Sequence, residues 1–494
     1  MSKKYYFCSL KSGSSSVGRA SASQAEGRGF ETRFPLFTDN RMTDNLLDKE
    51  NVEVPFKYIG YQFSIDDNVL TAYYNFRVFF NGKHVDFYPT LQFIIPQKYF
   101  DGIFDYQRID EIVFNLGMVE SISYWKTTCQ HDFIVACHDL SENQIEWWKD
   151  LFYYGLGEFR YKNHITTDKD NFIKFYPNPK YSIPKPKSDG SSLFVNKIII
   201  PVGGGKDSVV TIEELKNRHD IIPFVINPNK PMMDCIKTAG FSDDDVFVVN
   251  RQLDPVLLKL NEQGALNGHT PFSAIVAFCS LMAAEMTNTS MIALSNEESA
   301  NESTVENNND IINHQYSKTF AFESSFRKYY KKYISTNYNY FSYLRSITEL
   351  KIAEKFSHYP QYYKVFRSCN VGSKQGNIWC GNCPKCLFVY IMLMPFIPKD
   401  ELTEIFGSNL LLNDNLQETL FQLTGLSETK PFECVGTVKE TRAAIAKYLS
   451  ENEPEGILVP YIAKCKRSET VMDLIQFEAM LNHYNASNFI PEKL

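Results

Sequence analysis

Apolar and polar residues alternate through Val69-Leu70-Thr71-Ala72-Tyr73-Tyr74-Asn75-Phe76-Arg77-Val78, and a period of two predicts a β-strand with one buried face. Similar alternation runs over residues 52–96, and Asn81-Gly82 supplies the backbone geometry of a tight hairpin, so this stretch predicts an antiparallel sheet. Helical patterns follow. One is opened by Ser141 with Gln144 three residues later, a capping box ahead of Ile145-Glu146-Trp147-Trp148. Residues 42–176 are therefore expected to form an α+β N-terminal domain. The proline-rich, hydrophilic stretch at 177–190 reads as a linker and a domain boundary. Beyond it, short β-branched runs (Ile198-Ile199-Ile200, Ile221-Ile222, Val246-Phe247-Val248-Val249, Met291-Ile292-Ala293-Leu294) alternate with helical stretches. That pattern predicts a parallel sheet covered on both faces. Thr270-Pro271 reads as a cap followed by proline at the first helical position, opening an apolar helix from Phe272 to about Met286. Residues 398–494 read as a helical C-terminal region with a second capping box at Thr437 and Glu440. No internal repeat is visible.

The first 41 residues stand apart, rich in Ser, Gly, Ala and Arg with no apolar period, and are expected to be disordered. They resemble the translation of a transfer-RNA gene in an over-extended gene model, which would make Met42 the start. Two glutamates and the lack of an amphipathic face argue against a transit peptide. The length of 494 residues suggests two to four domains. A net charge of −7 argues against a protein that coats nucleic acid, while small anionic substrates remain open. The longest apolar run, residues 386–397, is too short to cross a bilayer and contains Pro395. Eleven cysteines without a secretory signal suggest a reducing, cytoplasmic setting, in which clustered thiols more often hold metal than form disulfides.

Gly203-Gly204-Gly205-Lys206-Asp207-Ser208 lies between a predicted strand and a predicted helix, where backbone N–H groups and a helix N-terminus can hold an anion. Ile200 and Asp207 occupy positions that a Walker A loop reserves for Gly and Ser or Thr, and the later glycine spacing of a dinucleotide fingerprint is missing. The loop resembles the S-G-G-x-D-S pyrophosphate loop of the N-type ATP pyrophosphatases, with Gly203 in place of the first Ser. The resemblance implies an α/β fold, a parallel-sheet PP-loop ATP pyrophosphatase (adenine nucleotide alpha hydrolase-like) domain over 191–397. It also implies splitting of ATP between its α and β phosphates with Mg²⁺. Gly203, Gly204, Gly205, Lys206, Asp207 and Ser208 would bind the nucleotide, Lys206 neutralising phosphate charge and Asp207 orienting Mg²⁺ or the loop itself. A glycine-rich turn without a ligand is the alternative.

Cys369, Cys380, Cys383 and Cys386 contain two CxxC steps, a spacing at which four thiolates surround one tetrahedral Zn²⁺ in a closed, structural site. An iron–sulfur cluster and a set of free thiols are the alternatives.

A wider likeness rests on the order of several segments: Phe114-Asn115-Leu116-Gly117-Met118-Val119-Glu120 with Ser123-Tyr124-Trp125-Lys126, the glycine loop, Asn267-Gly268-His269-Thr270-Pro271, Ser295-Asn296-Glu297-Glu298-Ser299-Ala300-Asn301, Asn313-His314-Gln315-Tyr316-Ser317-Lys318, the cysteine cluster, and Lys430-Pro431-Phe432-Glu433-Cys434-Val435-Gly436-Thr437. Together they resemble the UDP-N-acetylmuramoyl-L-alanyl-L-glutamate epimerases (MurL) over roughly residues 52–485. The resemblance implies ATP- and Mg²⁺-dependent inversion of the terminal L-glutamate of UDP-MurNAc-L-Ala-L-Glu through an acyl adenylate, with release of AMP and diphosphate, in peptidoglycan biosynthesis. A muramoyl ligase that adds L-Glu would be the pathway neighbour; no nucleic acid or membrane partner is expected. Asp207, Cys434, Glu433 and His314 are the catalytic candidates, the last three for proton transfer. Cys434 could equally be a core thiol, and His314 and Lys318 could equally bind phosphate. Glu297, Glu298 and Glu302 are candidates for Mg²⁺ or for a solvated acidic loop. A PP-loop enzyme modifying nucleobases or transfer RNA, akin to 7-cyano-7-deazaguanine synthase or the thiolases, and a non-catalytic zinc-stabilised binding module are the competing readings.

Overall fold

A computed structural model describes residues 4–7, 54–181, 194–307, 310–373, 376, 378–427, 429–467, 474–492 and 494. The first half of the chain supplies strands β1 (Lys4–Phe7), β2 (Phe56–Asp66), β3 (Val69–Phe80), β4 (Lys83–Phe87) and β5 (Thr90–Ile94), helix α1 (Tyr106–Trp125), strand β6 (Asp132–Val135), helices α2 (Glu142–Gly155), α3 (Gly157–Lys162) and α4 (Lys169–Phe172), and strand β7 (Lys174–Pro177). The turn between β3 and β4 uses Asn81 and Gly82, both at positive φ, as the dipeptide requires. The Ser141–Gln144 capping box forms at the start of α2. Helix α1 is buried almost all round because β2 and β3 cover one side. At Gly117 a Cβ would lie 1.9 Å from the Tyr58 hydroxyl, so only glycine lets the helix approach the sheet this closely.

Strand β8 (Phe194–Pro201) leads into α5 (Lys206–Leu215). There follow β9 (Asp220–Ile226), α6 (Lys230–Thr238), β10 (Phe247–Gln252), α7 (Pro255–Glu262), α8 (Phe272–Met286), β11 (Thr289–Leu294), the hairpin β12 (Val305–Asn307) and β13 (Asp310–Ile312), α9 (Phe320–Tyr333) and β14 (Asn339–Ser342). The strands order as β14-β11-β8-β9-β10-β5-β3-β2-β6-β7, with β1 pairing on β2 and β4 on β3. Strands β14 to β10 run parallel, as the β-branched runs predict. The sheet does not stop at the end of the parallel part: β10 pairs antiparallel with β5, Asn250 opposite Gln92, and the antiparallel strands continue it. Arg251 of β10 reinforces the join, its Nε and Nη2 lying 2.7 and 3.0 Å from the Glu120 carboxylate of α1. One apolar core holds Phe76 and Trp125 together with Ile222, Phe247 and Phe278. The predicted linker lies between β7, at one edge of this sheet, and β8 in its other half; residues 182–193 fall outside those described.

The opposite face of the parallel strands, with Ile198, Ile200 and Val225, packs under α5 and a second core. That core is built by α10 (Glu349–Ser357), α12 (Pro384–Leu393), α13 (Lys399–Phe406), α14 (Gln417–Leu423), α15 (Val438–Leu449), α16 (Leu458–Arg467) and α17 (Leu474–Leu481), while the short α11 (Asn370–Ser373) contributes no residue to it. After Pro398 the described residues contain helices and turns and no strand.

Two expectations are corrected. Lys4–Phe7 is a strand and not disordered, because β6 pairs with β2 only at Phe56–Tyr58 and leaves the backbone of residues 62–65 free to pair with β1. The rest of residues 1–41 lies outside those described. Helix α8 spans Phe272–Met286 as expected, but its N-cap is Pro271 and not Thr270, whose hydroxyl accepts a hydrogen bond from Lys126 Nζ at 2.9 Å. Among the described residues no helix is long and apolar enough to cross a membrane.

Candidate active site

Strand β8 ends at Pro201, and the chain turns through Gly203 and Gly204 into α5, whose N-cap is Gly205. Gly204 has φ +78°, and a Cβ there would meet the backbone of Pro231 and Met232 at 3.0 Å, so the position requires glycine. A Cβ at Gly203 would meet nothing within 4 Å, which leaves that side of the turn open. The first turn of α5 receives no side-chain cap, so its N–H groups and positive dipole end face the same open side. Ser208 Oγ donates to the Gly205 carbonyl at 3.1 Å. The Arg367 N–H donates to Gly204 O at 2.7 Å and ties the turn to the segment that reaches Cys369.

Lys206 points inward. Its buried ammonium lies 2.5 Å from Asp207 Oδ1 and pairs with Glu349 at the start of α10. Burial would lower its pKa, but Asp207 and Glu349 outweigh this and raise it. Asp207, Glu297 and Glu349 each bring a carboxylate oxygen within 4.8 Å of the others, an arrangement that could hold a divalent cation. Burial pushes the Glu349 carboxyl up to about 8 against the pull of Lys206, with Asp207, Glu297 and Glu440 adding to the rise. The other acidic candidates point elsewhere: Glu298 meets His483 and Asn485, and Glu302 pairs with Lys430.

A second constellation forms around Cys434. Phe432 seats its segment, the ring lying 5.3 Å from Tyr161 of α3 and 6.4 Å from His314. Gly436 lets the segment pass closely: a Cβ there would stand 2.6 Å from Phe388 and 3.0 Å from Glu349. His314 follows β13, oriented by Asn313, whose Oδ1 accepts the Gln315 N–H at 2.6 Å, and by Thr304 Oγ1, which accepts the His314 N–H at 3.1 Å. His314 Nδ1 lies 2.5 Å from Glu158 Oε2, and the imidazole also hydrogen-bonds the Cys434 thiol. His269 Nδ1 stands 3.7 Å from the same Glu158 oxygen. Burial alone would raise Cys434, but the ammonium groups of Lys318 and Lys385 and the His314 hydrogen bond outweigh it and hold the thiol at about 6. Burial would lower His314, but its bonds to Cys434 and Glu158 carry it up to about 9. His269 is pressed down to about 4 by burial and by the His314 charge. At neutral pH the result is a thiolate, an imidazolium, a carboxylate and a neutral histidine. Glu433 accepts from Asn370 Nδ2 at 3.1 Å, and burial raises its carboxyl.

Lys318 links the two constellations. Its backbone carbonyl is clamped by the fully buried Arg345, which also donates to Glu297 O at 2.6 Å. Among the described residues its ammonium has no hydrogen bond or ion pair, yet it is held protonated: burial would lower it, and Cys434, Glu297, Asp207 and Glu349 raise it. The four clustered cysteines lie beside this site. The sulfurs of Cys369 and Cys383, Cys380 and Cys386, and Cys383 and Cys386 are 3.8, 3.7 and 3.5 Å apart. Metal–sulfur bonds of about 2.3 Å in a tetrahedron would space them about 3.8 Å apart, so the set could hold one ion.

The structure thus gathers Asp207, Lys206, Glu297 and Lys318 at one end and Cys434 and His314 at the other. Glu158, Glu349, Arg345 and Lys385 were not singled out in the sequence. Lys385 sits between two of the clustered cysteines, and Glu349 follows a capping threonine, Thr348, but neither signal marks a site.

A family model described as the MurL N-terminal domain matches residues 48–343, and one described as the MurL C-terminal domain matches residues 365–470. The chain belongs to the MurL epimerase family. Two relatives named UDP-N-acetyl-alpha-D-muramoyl-L-alanyl-L-glutamate epimerase, from Micromonospora sp. and Xanthomonas oryzae pv. oryzae, are each 32% identical over 344 residues, covering 68% of this chain and 74% of their own. A third of the same name, from Salinispora tropica, is 32% identical over 339 residues, covering 67% of this chain and 71% of its own. No solved structure matches the chain. As a MurL family member the protein is an enzyme, an epimerase within the isomerases. The MurL N-terminal match covers β8, the glycine loop and His314, and the C-terminal match covers the four cysteines and Cys434.

Proposed function

We propose that this enzyme inverts the terminal L-glutamate of UDP-MurNAc-L-Ala-L-Glu to D-glutamate in peptidoglycan biosynthesis, using ATP to activate the glutamate carboxylate as an acyl adenylate. The observation that supports the reading is that the segment carrying His314 and Lys318, with His314 Nδ1 2.5 Å from Glu158, is tied through Arg345 to Glu297, whose carboxylate converges with those of Asp207 and Glu349 beside the open glycine turn. The relatives' names supply the substrate.

The chemistry has a physical logic. A proton beside a free carboxylate resists removal because negative charge would build on negative charge. An activated carbonyl lets the electron pair spread onto oxygen, where cationic groups stabilise it. In this reading the open turn at Gly203 and the N-terminus of α5 hold the phosphates, as in the PP-loop ATP pyrophosphatases. Asp207, Glu297 and Glu349 would hold Mg²⁺, which when bound neutralises phosphate charge. Lys318 faces the activated carboxyl group. Proton removal and return at Cα fall to Glu433 and His314, with Glu158 holding the His314 ring. Cys369, Cys380, Cys383 and Cys386 fit a structural Zn²⁺ that keeps Lys385 and the Arg367 segment in place; elemental analysis finding one zinc per chain would support this, and iron or no metal would overturn it. A ligase that adds L-Glu to the muramoyl nucleotide would supply the substrate.

The test is to incubate the protein with ATP, Mg²⁺ and UDP-MurNAc-L-Ala-L-Glu, and to follow AMP and the chirality of glutamate after acid hydrolysis. AMP and D-glutamate forming together is the expected result. D-glutamate without AMP would overturn the activation step, and AMP without inversion would overturn the product.

A further inference from the structure

We propose that Cys434 is a covalent nucleophile, which takes the activated glutamyl group onto its sulfur so that the glutamate is inverted as a thioester. The proposal rests on the ATP-activation reading above and goes one step beyond it.

The arrangement is that of an activated nucleophile: a half-buried thiol beside an imidazole whose Nδ1 lies 2.5 Å from the Glu158 carboxylate. Two ammonium groups, Lys318 and Lys385, bear on the sulfur. One of them, Lys318, has no hydrogen bond or ion pair among the described residues and is placed to meet an oxyanion. A thiol held near 6 is a weak base for a carbon acid but a good nucleophile and a good leaving group. Outside the four-cysteine cluster, burial pushes Cys129 and Cys235 up to about 12, so the neighbours of Cys434 set it apart from these thiols.

The steps balance. The thiolate attacks the carbonyl carbon of the acyl adenylate, the C–S bond forms, and the bond from that carbon to the phosphate oxygen breaks, AMP leaving with the electron pair. Acylation removes one of the two anions that hold the His314 proton, leaving Glu158, so the imidazolium becomes a better acid. Glu433 accepts the Cα proton, the electron pair spreads onto the thioester oxygen facing Lys318, and His314 protonates the opposite face of Cα. Water then attacks the thioester carbon and the C–S bond breaks, restoring the thiolate. One proton of that water returns to His314, and Glu433 passes its proton to solvent.

The experiment mixes the full chain with ATP, Mg²⁺ and UDP-MurNAc-L-Ala-L-Glu, quenches in acid within the first turnover, and maps peptides by mass. The expected result is a peptide containing Cys434 heavier by the substrate less one water, released by neutral hydroxylamine. In Cys434→Ala the adduct and D-glutamate should vanish while substrate-dependent exchange of pyrophosphate into ATP persists, which also certifies the fold. Exchange and D-glutamate without any adduct, or inversion by Cys434→Ala, would overturn the thioester and leave the activation reading standing. Absence of exchange in the unaltered protein would overturn that reading, and the thioester with it.

Discussion

The two lysines at the centre of the site are placed differently. Lys206, at the glycine turn, is closed between Asp207 and Glu349, so its charge is already spent on holding two carboxylates together. Lys318 is acted on by those carboxylates and by Cys434, and among the described residues its ammonium has no hydrogen bond or ion pair, although Arg345 fixes its backbone. A half-buried ammonium without such a bond is placed to meet an incoming anion. The comparison therefore separates a lysine that builds the site from one that waits for a ligand, and it separates a carboxylate end suited to a cation from a thiolate–imidazolium end suited to a carbonyl.

The sharpest way to break this division acts on the carboxylate end. Asp207→Ala removes one of three converging carboxylates but leaves Lys206 paired with Glu349, so the fold should persist. Pyrophosphate release should fall by at least about 10³-fold, the order expected when a group that positions transition-state charge is lost. Unchanged release with Asp207→Ala would remove the loop from the chemistry. At the other end, His314→Gln keeps a polar side chain but cannot carry the proton; inversion should fall by about 10²- to 10³-fold while pyrophosphate exchange is retained. If both activities fall together, the two ends are not separate functions.

How much of this could be read from the sequence differs between the same two ends. The glycine turn, the strand before it and the helix after it are local features, as are the cysteine spacing and the capping boxes at Ser141 and Thr437, and all are legible because neighbours in sequence set them. Cys434 and His314 could be named as candidates but not paired, since the contact depends on Phe432 packing against α3 and on Gly436 passing Phe388. Glu158 was invisible: it lies in a short helix four residues before Lys162, where it reads as an ordinary surface ion pair. Glu349 and Lys206 meet across 143 residues, and no local pattern announces that. The join of β10 to β5 was hidden for a related reason. A hydrophilic linker at 177–190 reads as a boundary, whereas strand partners across a sheet are chosen by edges that sequence does not display.

A smaller effect tests the lysine comparison directly. In the proposed mechanism the pair acts as thiolate and imidazolium, so kcat/KM should be bell-shaped, with an acid limb near pH 6 where the thiolate gains a proton and an alkaline limb near pH 9 where the imidazolium loses one. Lys318→Met removes the largest charge holding Cys434 down, so its pKa should rise. The midpoint for alkylation by iodoacetamide should move up by about one to two pH units, and the acid limb should move with it. The equivalent change at Lys206 should move the Cys434 midpoint far less, because Lys206 is not among the largest influences on that thiol. Equal shifts from both lysines would erase the distinction between them.

The smallest effect concerns what fastens the two ends to each other. Glu440 accepts the Thr437 N–H and hydroxyl on Oε2, at 2.8 and 2.7 Å, and the Glu349 N–H on Oε1 at 2.7 Å. The same carboxylate thus caps α15, just beyond Cys434, and anchors α10, which carries Glu349 to Lys206. Thr437→Ala removes the hydroxyl, with its donation to Glu440 Oε2 and its acceptance of the Glu440 N–H, leaving the bond to Glu349 in place. Loss of such a cap costs about 1 kcal/mol, measurable as a lower urea midpoint with an unchanged slope. Turnover should stay within about twofold of the original, as for a substitution that touches no reacting group. A large loss of turnover at that modest cost in stability would mean that the cap sets the position of Cys434 relative to Glu349, and that the two ends act as one rigid unit rather than as separable halves.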